Sequence, residues 1–166
     1  MKSRTSDWFE TKVRLEKTQE DGTQKKVTEV YVVEALSFTE AEAKIIDEMK
    51  DYVSGDFDVK NITPTSYHEI FFSENSKDDK WYKAKLQFIT IDEKTEKEKH
   101  QTVYYLVQGS SSESAQKNIN EVMGHTMIDY VIVSIVETNI LDVFEHEAGE
   151  SNETSQNGTG TIDEFE

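Results

Sequence analysis

One stretch of this chain occurs twice, and that recurrence constrains the fold more than any other feature. Trp8-Phe9-Glu10-Thr11-Lys12-Val13-Arg14-Leu15 returns 73 residues later as Trp81-Tyr82-Lys83-Ala84-Lys85-Leu86-Gln87-Phe88. The same offset carries Val30-Tyr31-Val32-Val33 onto Val103-Tyr104-Tyr105-Leu106. It also carries Ser37, Glu40 and Ile46 onto Ser110, Glu113 and Ile119, and Ile62-Thr63-Pro64-Thr65 onto Ile135-Val136-Glu137-Thr138. No gap is required. A unit of about 65 residues buries little surface alone, so the two copies are expected to share one core.

Residues 8–17 alternate, with Phe9, Val13 and Leu15 on one parity and Trp8, Lys12 and Arg14 on the other. A period of two is that of a half-buried strand. Glu20-Asp21-Gly22-Thr23 signals a turn, and residues 27–36 supply the return strand of a hairpin. Ser37 and Glu40 have capping-box spacing, and Ala41, Ile45, Met49 and Tyr52 follow at helical spacing. A helix is predicted over 39–53, stopping at Ser54-Gly55. Residues 57–72 read as extended. Their apolar parity switches after Val59, which predicts a bulge near Lys60-Asn61, and Pro64 suggests an edge or a second bend.

The second copy repeats the plan with strands over 81–91 and 101–108. Its helix opens at Gly109-Ser110-Ser111-Ser112-Glu113, turns Ala115, Ile119 and Val122 inward, and ends at Gly124; an extended segment over 130–144 shows the same switch. The pattern predicts an α+β fold built by internal duplication. Two β-β-α-β units, 8–72 and 81–144, joined by the polar linker 73–80, form one antiparallel-sheet domain with approximate two-fold symmetry. The long third strands lie side by side, and both helices cover the inner face through Ile45, Ile46, Met49, Ile119 and Val122. Residues 1–7 are expected as a flexible arm. Residues 145–166, polar and without apolar periodicity, are expected as a disordered acidic tail.

Net charge is −16, and seven of the acids lie between Glu145 and Glu166 with no Lys or Arg among them, leaving −9 on the rest. So acidic a body is unsuited to coating duplex DNA, which needs a broad positive face. The absence of Cys excludes disulfides and thiolate metal sites. The four His form no helical pair and no HExxH arrangement, so no metal or cofactor is expected. No apolar run approaches the roughly 20 residues that cross a bilayer, and the first residues lack a secretory apolar segment. The cytoplasm is the expected location, with no membrane partner.

Nothing in the chain resembles a nucleophile elbow, a Walker loop or a dinucleotide fingerprint, so the reading is non-enzymatic. If Phe9, Val13 and Leu15 point inward, then Trp8, Lys12 and Arg14 point out; likewise Trp81, Lys83 and Lys85 in the second copy. An indole beside two cations on a sheet face is suited to single-stranded nucleic acid, with bases on the ring and phosphates on the cations. These six residues form the candidate nucleic-acid track, DNA being favoured. The alternative reading places each Trp at the border of the core. The function then becomes that of an acidic protein–protein interaction factor, a host-defence inhibitor or assembly factor, meeting a basic partner and no nucleic acid.

The acidic, Gly-rich end closes on Ile162-Asp163-Glu164-Phe165-Glu166. It resembles the C-terminal tails of bacterial and phage single-stranded-DNA-binding proteins, although a final Glu follows the Phe and the usual Pro is missing. The resemblance implies that Ile162, Asp163, Glu164 and Phe165 recruit replication proteins. With Trp8-Phe9-Glu10, the run Leu36-Ser37-Phe38-Thr39-Glu40-Ala41-Glu42 and Trp81-Tyr82-Lys83 in view, residues 8–144 resemble a domain family of unassigned function carried by Bacteroidales bacteria and their phages. That resemblance implies an intracellular protein of phage or mobile-element type, and brings no catalytic residues; with the track and the tail, the expected function is single-stranded nucleic-acid binding in phage or mobile-element replication.

Overall fold

A computed structural model describes residues 1–146, the side chains of Ser3 and Arg4 excepted. The acidic tail, with Ile162, Asp163, Glu164 and Phe165, lies outside the described residues. In chain order the elements are β1 (Lys2–Arg4), β2 (Trp8–Thr18), β3 (Gln24–Glu34), α1 (Phe38–Tyr52), β4 (Phe57–Pro64), β5 (Tyr67–Phe72), β6 (Lys80–Ile91), β7 (Glu98–Gly109), α2 (Ser112–Met123), β8 (Asp129–Glu137) and β9 (Ile140–Phe144). The fold is α+β.

Both hairpins form as read, β2 with β3 and β6 with β7. At the first turn Gly22 takes a positive φ of 85°, and Asp21 Oδ1 accepts from the Thr23 amide at 3.0 Å. Both helices are capped by serine: Ser37 accepts from the Glu40 amide and Ser111 from the Ser114 amide, each at 3.1 Å. A Cβ at Gly109 would come within 2.9 Å of the Ala115 backbone nitrogen, so the strand can approach α2 closely only with glycine there. The parity switches are bulges. Lys60 is the unpaired residue between Val59 and Asn61 opposite β2, and Val133 the unpaired residue between Ile132 and Ser134 opposite β6.

Three expectations require correction. First, the chain forms two sheets, not one antiparallel sheet: a five-stranded sheet ordered β1-β5-β7-β6-β8 and a four-stranded sheet ordered β4-β2-β3-β9. The long third strands do not lie side by side. Each breaks after its first part, where Thr65 N–H bonds Trp8 O and Thr138 N–H bonds Trp81 O, both at 2.9 Å. Each then crosses to the other half, so that β5 pairs parallel with β7 and β9 pairs parallel with β3. Second, the matching is not gapless. The second hairpin turn is one residue longer, so Trp8 faces Glu34 but Trp81 faces Gln108. Tyr31 therefore matches Tyr105, and Ala41, Ile45 and Met49 match Ala115, Ile119 and Met123, one residue beyond the offset of the strands. Third, Lys2–Arg4 is an edge strand on β5 rather than an arm, with Lys2 Nζ 2.8 Å from Glu145.

The helices do not share a face. Helix α1 packs Ile45 and Met49 on the four-stranded sheet over Val13, Val33 and Ile62; α2 packs Ile119 on the five-stranded sheet over Ala84, Leu86, Tyr105 and Val107. Each of these cores holds one phenylalanine from the other half, Phe144 in the first and Phe71 in the second. A third core joins the opposite faces of the two sheets through Trp8, Val30, Val32, Ile70, Trp81, Leu106 and Val143.

The linker is fastened to α2 by Asp78. Its buried carboxylate accepts from Ser73 Oγ at 2.5 Å, Ser114 Oγ at 2.8 Å and Asn118 Nδ2 at 3.3 Å. Burial raises its pKa, but these hydroxyl and amide donors outweigh burial and hold it below the usual 3.8. A depressed carboxyl stabilises the fold above its ordinary pKa, and the stabilisation is lost as pH falls through the folded value. Asp78→Asn is expected to cost about 2 kcal/mol in urea unfolding at pH 7, with the gap to wild type closing as pH drops below the ordinary carboxylate range. Burial also raises the phenol of Tyr67 to about 12, and raises Tyr31 and Tyr105 further, Tyr31 with help from its 2.5 Å bond to Glu29. The unfolded chain then sheds these protons first, so stability falls as pH rises from about 10. Absorbance titration at 295 nm should show these three phenols ionising late, as the fold is lost.

Candidate functional site

Trp8 and Trp81 are both only 2% exposed. The structure brings the two indoles together, but inside: the ring of Phe72 lies 6.3 Å from Trp8 and 5.5 Å from Trp81. The expected track through two solvent-facing indoles is therefore corrected. Parity placed Trp8 on the face of Lys12 and Arg14, and they do share it. That face is covered only at its Trp8 end, by Ile70 and Phe72 of the crossing strand β5, and is open further along. Lys12 and Arg14 are exposed, as is Lys83, while Lys85 is half-buried. Lys83 Nζ lies 4.9 Å from the centre of the Tyr104 ring, and Lys85 sits opposite Tyr104 across the ladder.

Two features of this surface were not read from the sequence. The first is the outer edge of the five-stranded sheet. Strand β8 turns Tyr130, Ile132 and Ile135 toward the α2 core, and leaves Val131, Val133 and Val136 49%, 48% and 59% exposed. Val136 faces Lys83 on β6, and Ser134 faces Lys85. The corresponding edge of the other sheet is β4, which shows water Asp58, Lys60, Thr63 and Pro64. Charge and proline on an edge strand block the addition of a further strand; an apolar edge invites it. The signal was present in the uncharged run Tyr130-Val-Ile-Val-Ser-Ile-Val136, set against the charged Asp58 and Lys60.

The second is a cleft of about 630 Å³ between the halves, lined by Trp8, Pro64, Thr65, Tyr67, Val103 and Tyr104 among others. Tyr67 and Tyr104 are paired in the parallel ladder and half-buried. Among the described residues, no group of three or more His, Cys, Asp or Glu is placed to hold a metal ion, and no helix is long and apolar enough to cross a membrane.

These features define a two-sheet α+β domain with exchanged last strands and an exposed apolar edge on its five-stranded sheet. The chain belongs to the family described as a domain of unknown function, DUF4494, whose model matches residues 7–146. No curated protein and no solved structure matches it.

Two sets of substitutions check the placement of the predicted track. Trp8→Ala and Trp81→Ala should each cost about 3–5 kcal/mol by thermal or urea unfolding, as core aromatics do. Lys12→Ala and Arg14→Ala should stay within about 0.5 kcal/mol of wild type.

Proposed function

We propose that the protein is a non-enzymatic interaction factor that takes up an extended segment of a partner protein along β8. The observation that carries this reading is the apolar edge of β8 beside the guarded edge of β4. Strand addition satisfies the open N–H and C=O groups of the edge, and Val131, Val133 and Val136 supply apolar contact. The net charge of −16 favours partners with a basic surface. We also read the two halves as copies of one ancestral β-β-α-β-β unit. The matched bulges, serine caps and crossing strands support that reading, and it makes β4 and β8 the same edge with different surfaces. A cytoplasmic setting, expected from the sequence, belongs to the same proposal, as does the tail's role in recruiting partners.

A second reading retains single-stranded nucleic acid, on different residues from those first expected. Tyr67 and Tyr104 stand side by side with Lys83 over one ring and Lys85 beside it. Aromatic faces flanked by cations hold bases and phosphates. An acidic body weighs against high affinity, which places this reading second.

The test uses the guard already present in the other half. Val133 and Lys60 are the bulge residues of β8 and β4, so Val133→Lys copies the charge of one edge onto the other. The side chain is half exposed, and stability should change by no more than about 0.5 kcal/mol. Cross-linked pull-downs from host lysate should yield a partner with wild type and lose it with Val133→Lys. An identical set of captured proteins from both would overturn the reading. Titration with oligo-dT at low salt decides the second reading: quenching that weakens as salt rises supports it, and no change at low salt removes it.

A further inference from the structure

Two side chains that line the cleft between the halves each bury a polar atom that the fold leaves without a partner. Trp8 Nε1 and Thr65 Oγ1 are buried, hydrogen-bond to nothing, and belong to side chains that line the same cleft. Leaving a buried donor unpaired costs about 1–3 kcal/mol, a burden that a fold rarely carries twice in one place without a reason.

The other half shows that the burden is avoidable. Thr138 stands where Thr65 stands, donating its backbone N–H to the carbonyl of its tryptophan at the same 2.9 Å. Its hydroxyl also donates to that carbonyl, Trp81 O, at 2.8 Å. The Thr65 hydroxyl does not make this bond to Trp8 O. The surroundings differ in the same sense. Where the first site has Tyr67 and Tyr104 paired across the ladder, the second has Ile140 and Val30, both buried. One site is apolar and closed; the other is an open aromatic cleft with two unpaired polar atoms buried in its wall.

We propose that this cleft binds a planar, uncharged heterocycle that carries a hydrogen-bond acceptor, the class to which nucleobases belong. Trp8 Nε1–H donates to the ring acceptor, the Thr65 hydroxyl takes a second ring atom, and Tyr67 and Tyr104 supply the apolar flanks. Asp7 lines the cleft and Glu10 acts electrostatically on Tyr67, so a ligand without negative charge at the ring is favoured. Neither stranded atom is open to water, so binding includes a turn of the Thr65 side chain and an opening of the cleft wall at Trp8 Nε1. The ring can come from a free nucleoside or from a base within a strand, and the experiment separates the two sources.

The chain has two tryptophans, so an ¹H–¹⁵N spectrum of the full chain contains two indole cross-peaks. These are assigned with Trp8→Phe and Trp81→Phe. Titration with thymidine, uridine and adenosine to millimolar concentration should move the Trp8 peak downfield and leave the Trp81 peak in place. Thr65→Val, which keeps the side-chain shape, should weaken binding at least tenfold; Thr138→Val should leave it unchanged. Oligo-dT is run in parallel. A Trp8-selective shift with nucleosides places the site with free small molecules, and the same shift with the oligonucleotide alone places it with strands. No Trp8 shift with any of these ligands, equal shifts at both indoles, or wild-type affinity in Thr65→Val would overturn the proposal. None of these outcomes depends on β8, so the strand-addition reading stands or falls separately.

Discussion

The reciprocal crossing of the last strands is the constraint on which the rest of the structure depends. Strand β5 leaves the first half to pair with β7, and β9 leaves the second to pair with β3. Each delivers one phenylalanine into the opposite core, Phe71 beneath α2 and Phe144 beneath α1. Neither helix-covered core is complete without its guest. Fully burying a side chain of this size contributes about 1.5–3 kcal/mol, and loss of either strand also opens a ladder. Two units of this size, each burying little surface alone, thus share their cores. The crossing also brings Ile70 and Phe72 over Trp8, which turns a nominally outward face into a third core.

That third core explains why local pattern and final burial part company. Alternation along β2 correctly separates Val13 and Leu15 from Lys12 and Arg14, because period two is a property of the strand itself. Whether the second face meets water depends on what lies across it, and for Trp8 the cover comes from a strand more than fifty residues further on. The caps, hairpins and helices were legible for the opposite reason: Ser37, Gly22 and the Ala41-Ile45-Met49 stripe act within a few residues of themselves. The bulges were legible because a parity switch is written in the strand that carries it. The break at Thr65 and Thr138 was not. Each is held by a bond to the carbonyl of a distant tryptophan, and only Pro64 hinted at one of them. A one-residue difference in a hairpin turn likewise escaped a gapless alignment, because Tyr104 and Tyr105 offer two adjacent aromatic matches for Tyr31.

The two halves keep the same frame and differ where they meet solvent. Bulges fall at Lys60 and Val133, but one is charged and the other apolar. Threonines hold the same backbone bond to the two indole residues, but only Thr138 satisfies its hydroxyl. Residues that maintain the crossing are held to one solution by packing on both sides. Residues at an edge are free of that demand, and their chemistry can differ at little cost in stability; in the cleft the difference leaves two buried polar atoms unpaired. The candidate sites are therefore the positions where the matching fails.

Charge follows the same division. The acidic body disfavours broad contact with polyanions, yet Lys83 and Lys85 sit on the open face of the five-stranded sheet, beside Tyr104 and the valines of β8. A local pair of cations within a negative field acts over a Debye length of about 8 Å at physiological salt. At that range it selects among ligands already docked rather than drawing them from solution. In the proposed function, long-range attraction would belong to the net charge and favour basic proteins, and short-range selection would belong to Lys83, Lys85 and the tyrosines. Under the strand-addition proposal, a partner that answers both would carry a basic surface and present an extended apolar strand with acidic or acceptor groups at the face of Lys83 and Lys85, which is a narrower description than either the charge or the edge supplies alone.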